Sequence, residues 1–416
     1  MKPKLKIAHV SLRYSPAPLT GSELYVEALS KILAAKGHDV TVLTTTALSF
    51  EAFDKVKGLV RLTRENYMHF FEKTNGINVF RFPIHYELQW FFKVLKGINR
   101  RLFKLKHLDE LLSLMLRQSL TPEIYINISS TDYDIVHATP FPYTHVYFAY
   151  RATSRKGIPF VVTPFIHYKL KEHWFNWYML QVIKGASATI AMTKFEKKIL
   201  NVLGAKRCYI ASMGIWTDTW LGVKGDEVRE KLGLEDSFVI LVPRRMYIKG
   251  AFHTLLASTI LSRQGIRTAV ITVGEFTDPL YQKVKKYAEE RSVRVIDFGY
   301  VSEHLKRKLF AACDVLAAPS LADAFGKVYL EAWACGKPVI AARTPVMSEI
   351  VRDGIDGFLV EFGNVIELAK KLEILAKDSE LREKMGKEGR EKVFKYYDWR
   401  IVGQKIERIY YELTFG

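Results

Sequence analysis

Short runs of apolar and β-branched residues alternate with longer amphipathic stretches in the first half of the chain, at positions 5–12, 39–45, 78–82, 134–138, 160–163, 188–192 and 209–212. Runs of this length predict strands and the stretches between them predict helices, the βαβ rhythm of a parallel sheet covered on both faces. The rhythm restarts after Gly214 with positions 238–242, 269–273, 293–298, 314–318, 338–342 and 358–360. Two successive doubly wound sheets are expected, joined within positions 214–225. Beyond Asn364 the pattern turns helical, with a last helix starting near Asp398 and Trp399. The sequence contains neither tandem repeats nor low-complexity tracts.

Ligands of an open parallel sheet bind beyond the carboxyl ends of its strands, so the polar residues directly after each apolar run are the candidates. In the first half these are the turn Pro18-Leu19-Thr20-Gly21-Ser22-Glu23, then His137 and His167. In the second they are Arg244, Arg245, Lys249, Glu275 and Asp323. The richest segment, positions 319–338, reads as strand end, loop and then a helix closed by Gly336 and Pro338. Asp323 falls on the loop and Glu331 roughly two turns further on, an acid pair suited to polyol hydroxyls. Between them the helix start at Phe325, Gly326, Lys327 and Val328 offers unpaired N–H groups and a positive dipole to a phosphate.

Arg244, Arg245 and Lys249 share one loop, and two planar guanidinium forks with a point charge suit a diphosphate. A solvated basic loop is the plainer alternative. Gly250 is expected to let backbone come close to a ligand. His137 reads first as a satisfied histidine at a strand end, whereas His167 follows Pro164, which fixes a turn and aims the next residues toward the ligand side. Gly21-Ser22 resembles a shortened phosphate loop, but neither the dinucleotide nor the Walker-type fingerprint occurs. The segment Asp353-Gly354-Ile355-Asp356-Gly357 lacks EF-hand spacing and reads as a turn.

With 416 residues, 49% of them hydrophobic, the chain is long enough for two cores. A net charge of +18 asks for an anionic partner: nucleic acid, an acidic membrane surface or a phosphorylated substrate. Positions 90–106 sharpen this, because Lys93, Lys96, Arg100, Arg101, Lys104 and Lys106 follow Trp90-Phe91-Phe92 with apolar residues and no acid between them. Such a helix suits peripheral contact with an anionic membrane, or else it is an ordinary surface helix packed on its sheet. The aromatic cluster Trp174-Phe175-Asn176-Trp177-Tyr178 would extend that surface or line an acceptor groove. Nucleic acid is not an expected partner, since no binding motif accompanies the charge. The isolated Cys208, Cys313 and Cys335 suggest a reduced, cytoplasmic setting, extending to the inner face of the membrane. The basic start of the chain leads into a short run broken by Arg13, so no secretory segment is read, and no apolar run approaches the roughly 18 residues of a membrane span.

At these residues the chain resembles the retaining glycosyltransferases of family 4, the glycosyl transferases group 1, over nearly its whole length. Thr20-Gly21-Ser22-Glu23 is similar to the family's first glycine loop, and Lys36-Gly37-His38-Asp39-Val40 to the approach to its second strand. Arg244 and Lys249 match the Arg and Lys of its GRLxxxKG motif. Phe298-Gly299-Tyr300-Val301, positions 314–320, and Asp353-Gly354 with Gly357-Phe358-Leu359-Val360 match later motifs in order. The resemblance implies an α/β GT-B fold of two doubly wound Rossmann-like domains facing across a deep cleft. Residues 1–213 would bind acceptor and residues 214–397 the nucleotide-sugar donor, with a C-terminal helix at 398–416 crossing back to the first domain.

It further implies Arg244 and Lys249 on the donor diphosphate, Asp323 on the donor-sugar hydroxyls and Glu331 on the ribose. The backbone of Phe325, Gly326, Lys327 and Val328 would cap the phosphates, with Tyr300 and Val301 beside the base and Gly21, Ser22 and Glu275 as further donor contacts. His167, and after it His137, stands for the acceptor-side histidine, because Phe165 occupies that residue's usual place and Thr139 the second position of an HxH-like strand end. Asp323 replaces the first glutamate of the family's E-x7-E motif, and Pro243 replaces a glycine. The implied activity is retaining, metal-independent transfer of a hexose from a nucleotide-diphosphate sugar to a hydroxyl of a glycan or glycolipid, lipid-linked or membrane-associated, without a cofactor. Electrostatic neutralisation of the leaving group by Arg244 and Lys249 would stand in for a metal. The rival readings are a GT-B sugar-nucleotide epimerase, a phosphorylase, for which no pyridoxal-phosphate lysine is identified, and a non-catalytic protein binding nucleotide sugar or nucleic acid.

Overall fold

The computed structural model describes residues 3–17, 20–47, 71–116, 120–167 and 176–416. It divides into two units, one of Met1–Ile166, Leu170–Ser212 and Val402–Gly416, the other of His167–Lys169 and Met213–Ile401.

In the first unit β1 (Lys6–Val10), β2 (Asp39–Thr45), β3 (Phe71–Thr74), β4 (Ile77–Phe82), β5 (Ile135–Ala138), β6 (Phe160–Val162), β7 (Ala188–Ala191) and β8 (Cys208–Ile210) form one sheet. Its order is β3-β4-β2-β1-β5-β6-β7-β8, parallel throughout except that β3 runs antiparallel to β4. The central strands are buried on both faces, with Ile7, Ala8 and Val10 in β1 and Val40, Val42 and Leu43 in β2 all inaccessible. That is why they read as continuous apolar runs rather than alternating ones. β3 is the described strand that the apolar pattern did not announce, because Glu72 and Lys73 interrupt it. Its signal was the dipeptide Asn75-Gly76, whose positive φ values of 50° and 76° make the two-residue hairpin between Thr74 and Ile77.

The second unit is a six-stranded, wholly parallel sheet of β9 (Phe238–Arg245), β10 (Thr268–Thr277), β11 (Arg294–Phe298), β12 (Val315–Ala318), β13 (Val339–Ala342) and β14 (Gly357–Val360). Its order is β11-β10-β9-β12-β13-β14, so the chain builds outward from β9 and then switches to its other side at β12. The core joins Ile240, Val242, Val270, Val315 and Ile340 from the strands to Leu255, Leu261, Leu368 and Leu372 from the helices Ala251–Arg263 and Val365–Lys377. β12 meets β9 only at Val315 with Ile240 and Leu316 with Leu241. Pro243, which has no N–H to give a ladder, falls beyond that pairing, where β9 is held on the β10 side alone.

The last helix, Trp399–Phe415, has its opening residues in the second unit and the rest in the first. In the first unit Tyr410 is buried and its hydroxyl lies 3.1 Å from His9 Nε2 and 2.5 Å from His137 Nδ1. The remaining ring nitrogens are also engaged, His9 Nδ1 with Ser30 Oγ at 2.6 Å and His137 Nε2 with Thr163 Oγ1 at 2.7 Å. Burial pushes the His9 imidazole down to about 3 and that of His137 well below the ordinary range, so both are neutral at physiological pH. Further out on the helix, Glu407 takes Lys36 and His38, the latter at 3.1 Å. Replacing Tyr410 with Phe should leave two buried imidazoles each short of a partner and destabilise the first unit by about 1–3 kcal/mol. Urea unfolding measures this, and an unchanged midpoint would contradict the network's role.

Candidate active site

At the switch point between β9 and β12 the connecting loops leave on opposite sides of the sheet, which opens a crevice beyond the strand ends. Past Leu316 no ladder joins the two strands, yet their loops are tied together. Leu321 N–H donates to the Ile248 carbonyl at 2.9 Å, and Ser320 Oγ reaches the same oxygen at 3.4 Å. Gly250, at φ +85°, lies so close to Pro319 that a Cβ there would meet its side chain at 2.6 Å and its carbonyl at 2.8 Å. The expectation that Gly250 admits a ligand is therefore corrected: the chain it admits is its own.

This stitching brings Lys249 to Asp323. Lys249 Nζ donates to Asp323 Oδ1 at 2.6 Å and to the Ala322 carbonyl at 2.8 Å. Arg244 adopts a left-handed backbone, φ +64°, which for a residue with a Cβ stores about 1–3 kcal/mol of strain and is concentrated at functional sites. Gly274 packs beside it, at φ +123°, with a Cβ there falling at ordinary contact distance, 3.4 Å, from Arg244 Cγ. Arg245 donates to the carbonyls of Gly274, at 2.7 Å, and Phe298, at 3.4 Å, so it braces the ends of β10 and β11.

His167 groups with the second unit. Burial first, then Lys249, pushes its imidazole below the ordinary range; Asp323 and a bond to the Ala322 backbone act in the opposite sense, and Arg244 adds to the lowering. His167 is thus within the electrostatic influence of Lys249, Asp323 and Arg244, and its neutral form is favoured.

The chain continues into the helix Lys327–Ala334, capped by Gly326 at φ +86°. A Cβ on Gly326 would strike the Tyr329 ring at 2.5 Å, and the buried Tyr329 hydroxyl bonds the Ala318 carbonyl. Phe325 is buried against Tyr397, ring centroids 5.8 Å apart. These contacts aim the helix start, where Lys327 and Val328 carry the N–H groups a helix leaves without intrahelical partners. Glu331, on the same helix, is buried and its Oε1 receives Lys327 Nζ at 2.7 Å and Lys306 Nζ at 3.0 Å. Burial alone would raise its carboxyl, but Lys306 and Lys327 outweigh that and hold it down at about 2. Lys306 was not anticipated. It sits on the helix Glu303–Ala312, and only the fold carries it to Glu331.

Residues 225–392 match the family model of glycosyl transferases group 1, and residues 19–218 that of glycosyltransferase family 4. The chain belongs to the group 1 glycosyltransferases. EpsD of Bacillus subtilis is 27% identical over 328 residues, 73% of this chain and 85% of that one. Among solved structures, sucrose-phosphate synthase from Thermosynechococcus elongatus superimposes with a TM-score of 0.70 at 18% identity over 99% of both chains. HepE of Anabaena, solved with UDP and glucose, gives 0.68 at 20% identity over 97% of this chain and 99% of its own. The fold of this glycosyltransferase is GT-B, built from two parallel-sheet α/β units.

The other candidates of this glycosyltransferase are distributed as follows. Tyr300, 68% exposed, and the part-buried Val301 follow β11, whose neighbouring Gly299 carbonyl accepts from Gly274 N–H at 3.0 Å. Glu275 lies in β10, and its side chain is outside the described residues. Gly21 and Ser22 open the helix Gly21–Ala35 in the first unit. There Glu23 takes the Thr20 N–H at 2.8 Å and is bridged by Arg13 at 2.7 and 2.8 Å. Pro18, Leu19, Trp174 and Phe175 lie outside the described residues. His137 is corrected as a candidate, since both its ring nitrogens are occupied within the buried network described above. Among the described residues no cluster of three His, Cys, Asp or Glu side chains could hold a metal ion.

Replacing Gly250 with Ala should cost about 1–2 kcal/mol from the left-handed backbone alone and more from the approach to Pro319. The loss is read by thermal unfolding, and wild-type stability would contradict the stitching of the two loops.

Proposed function

We propose that this enzyme transfers a hexose from a nucleotide-diphosphate sugar to a hydroxyl acceptor with retention at the anomeric carbon. The observation that carries the reading is the convergence of Arg244, Lys249, His167 and Asp323 at the switch point, directly before a helix N-terminus. The C1–O bond to the diphosphate breaks as a C1–O bond to the acceptor forms on the same face, and the acceptor proton passes to the departing phosphate. The difficult part is charge accumulating on the leaving group, which preorganised donors stabilise best. Arg244, Lys249 and the amides of Lys327 and Val328 supply those donors, so the reading requires neither a metal nor a cofactor. Asp323 would hold sugar hydroxyls, Glu331 the ribose, and Tyr300 and Val301 the base. His167, kept neutral, would face the reacting sugar. HepE, which shares the fold, was solved with UDP and glucose, and that supports a nucleotide-sugar donor. An epimerase or a sensor would bind the same donor but pass no sugar on.

Lys249→Ala should abolish transfer in assays with UDP-, GDP- and ADP-sugars while leaving the unfolding transition in place; wild-type turnover would refute the assignment.

A second part of the reading concerns the acceptor, a glycan or glycolipid presented at the cytoplasmic face of an anionic membrane. The helix Tyr86–Ile98 and the turn Asn99–Phe103 expose Trp90, Phe91, Val94, Leu102 and Phe103, with Leu105 just beyond. Lys93, Lys96, Arg100, Arg101 and Lys104 stand among them, a pairing of exposed apolar area with cations that suits an anionic bilayer surface. No described helix is long and apolar enough to cross a membrane. Changing Lys96, Arg100, Arg101 and Lys104 to Glu should abolish flotation with liposomes containing phosphatidylglycerol, and unchanged flotation would sink this part.

A further inference from the structure

The Lys249 ammonium has three N–H donors, and two are engaged by Asp323 Oδ1 and the Ala322 carbonyl. A carboxylate thus stands at 2.6 Å from the cation that a diphosphate would use. Carboxylate and diphosphate carry like charge, and both Lys249 and Asp323 are mostly shielded from water, with side-chain exposures of 16% and 21%. Repulsion between them is therefore only partly screened. Arg244 and Lys249 bring two positive charges, His167 is held neutral by burial, and Asp323 subtracts one.

Resting on the donor reading above, we propose that Asp323 sets selectivity between donor and product by weakening the hold on a bare nucleoside diphosphate. A complete donor offsets the repulsion, because its sugar hydroxyls bond the same carboxylate. The diphosphate that remains after transfer has lost those hydroxyls and keeps the repulsion. One side chain then favours donor binding and hastens product release. Asparagine at this position would retain much of the shape and remove the charge, whereas glutamate would retain the charge.

Isothermal titration with UDP, GDP, ADP and inorganic pyrophosphate on the wild type, Asp323→Asn, Asp323→Glu and the double variant Lys249→Met with Asp323→Asn tests this. Asp323→Asn should bind pyrophosphate and the cognate nucleoside diphosphate about threefold or more tightly than the wild type, with a steeper salt dependence. The added Lys249→Met should erase the gain, and Asp323→Glu should stay near wild-type affinity. Turnover by Asp323→Asn should fall while its inhibition by the nucleoside diphosphate rises. Pyrophosphate binding by Asp323→Asn that is unchanged or weaker overturns the proposal. Pyrophosphate has neither base nor sugar, so a gain for it with no nucleotide bound by any form would sink the donor reading and leave the charge effect standing.

Discussion

The candidate site depends on one close backbone approach, Ile248 through Gly250 against Pro319 through Leu321. β9 and β12 stop pairing after Leu316, so nothing in the sheet ladder holds the loops that leave them. Hydrogen bonds from Leu321 N–H and Ser320 Oγ to the Ile248 carbonyl, with the absence of a side chain on Gly250, supply what the ladder does not. The consequence is chemical. Lys249 and Asp323, 74 residues apart in sequence, meet at 2.6 Å, and the loop that carries Asp323 runs on at once into a helix start. A cation, an acid and a row of amide donors are thereby placed together by backbone geometry rather than by side-chain reach.

The unit balances its charges locally. A buried carboxylate needs a partner or it loses its charge, and Glu331 has two lysines. Its partner Lys327 stands one helical turn before it, so the helix that presents amides at its start also anchors an acid further on. Asp323 and Glu331 are thus both paired with lysine, one on the loop and the other on the helix that follows it. In the first unit the opposite solution applies. His9 and His137 are stripped of charge by burial and satisfied by Tyr410, Ser30 and Thr163, which makes them a structural seam rather than chemistry.

Much of the fold was legible because parallel strands buried on both faces leave uninterrupted apolar runs, and every such run overlaps an observed strand. β3 escaped because a polar edge strand leaves no run, although Asn75-Gly76 marked its turn. The loop and helix of the site could be read from local pattern, since Gly326, Lys327 and Glu331 lie within one short segment. What could not be read were contacts that only topology makes. Lys306 reaches Glu331 from the preceding helix, and Pro319 rather than a ligand lies against Gly250. Likewise Arg245, next to Arg244, is drawn onto the carbonyls of Gly274 and Phe298, a contact that no residue pattern encodes.

The central claim is that the switch point of the second sheet holds a nucleoside diphosphate between Arg244, Lys249 and the start of the Lys327–Ala334 helix. A crystal structure of the enzyme with the nucleoside diphosphate it binds tests this most directly. The account predicts the phosphates within hydrogen-bond distance of Lys249 Nζ and the amides of Lys327 and Val328, with a ribose hydroxyl on Glu331. Phosphates bound elsewhere, with Lys249 still paired to Asp323 and Glu331 to its lysines alone, would contradict it.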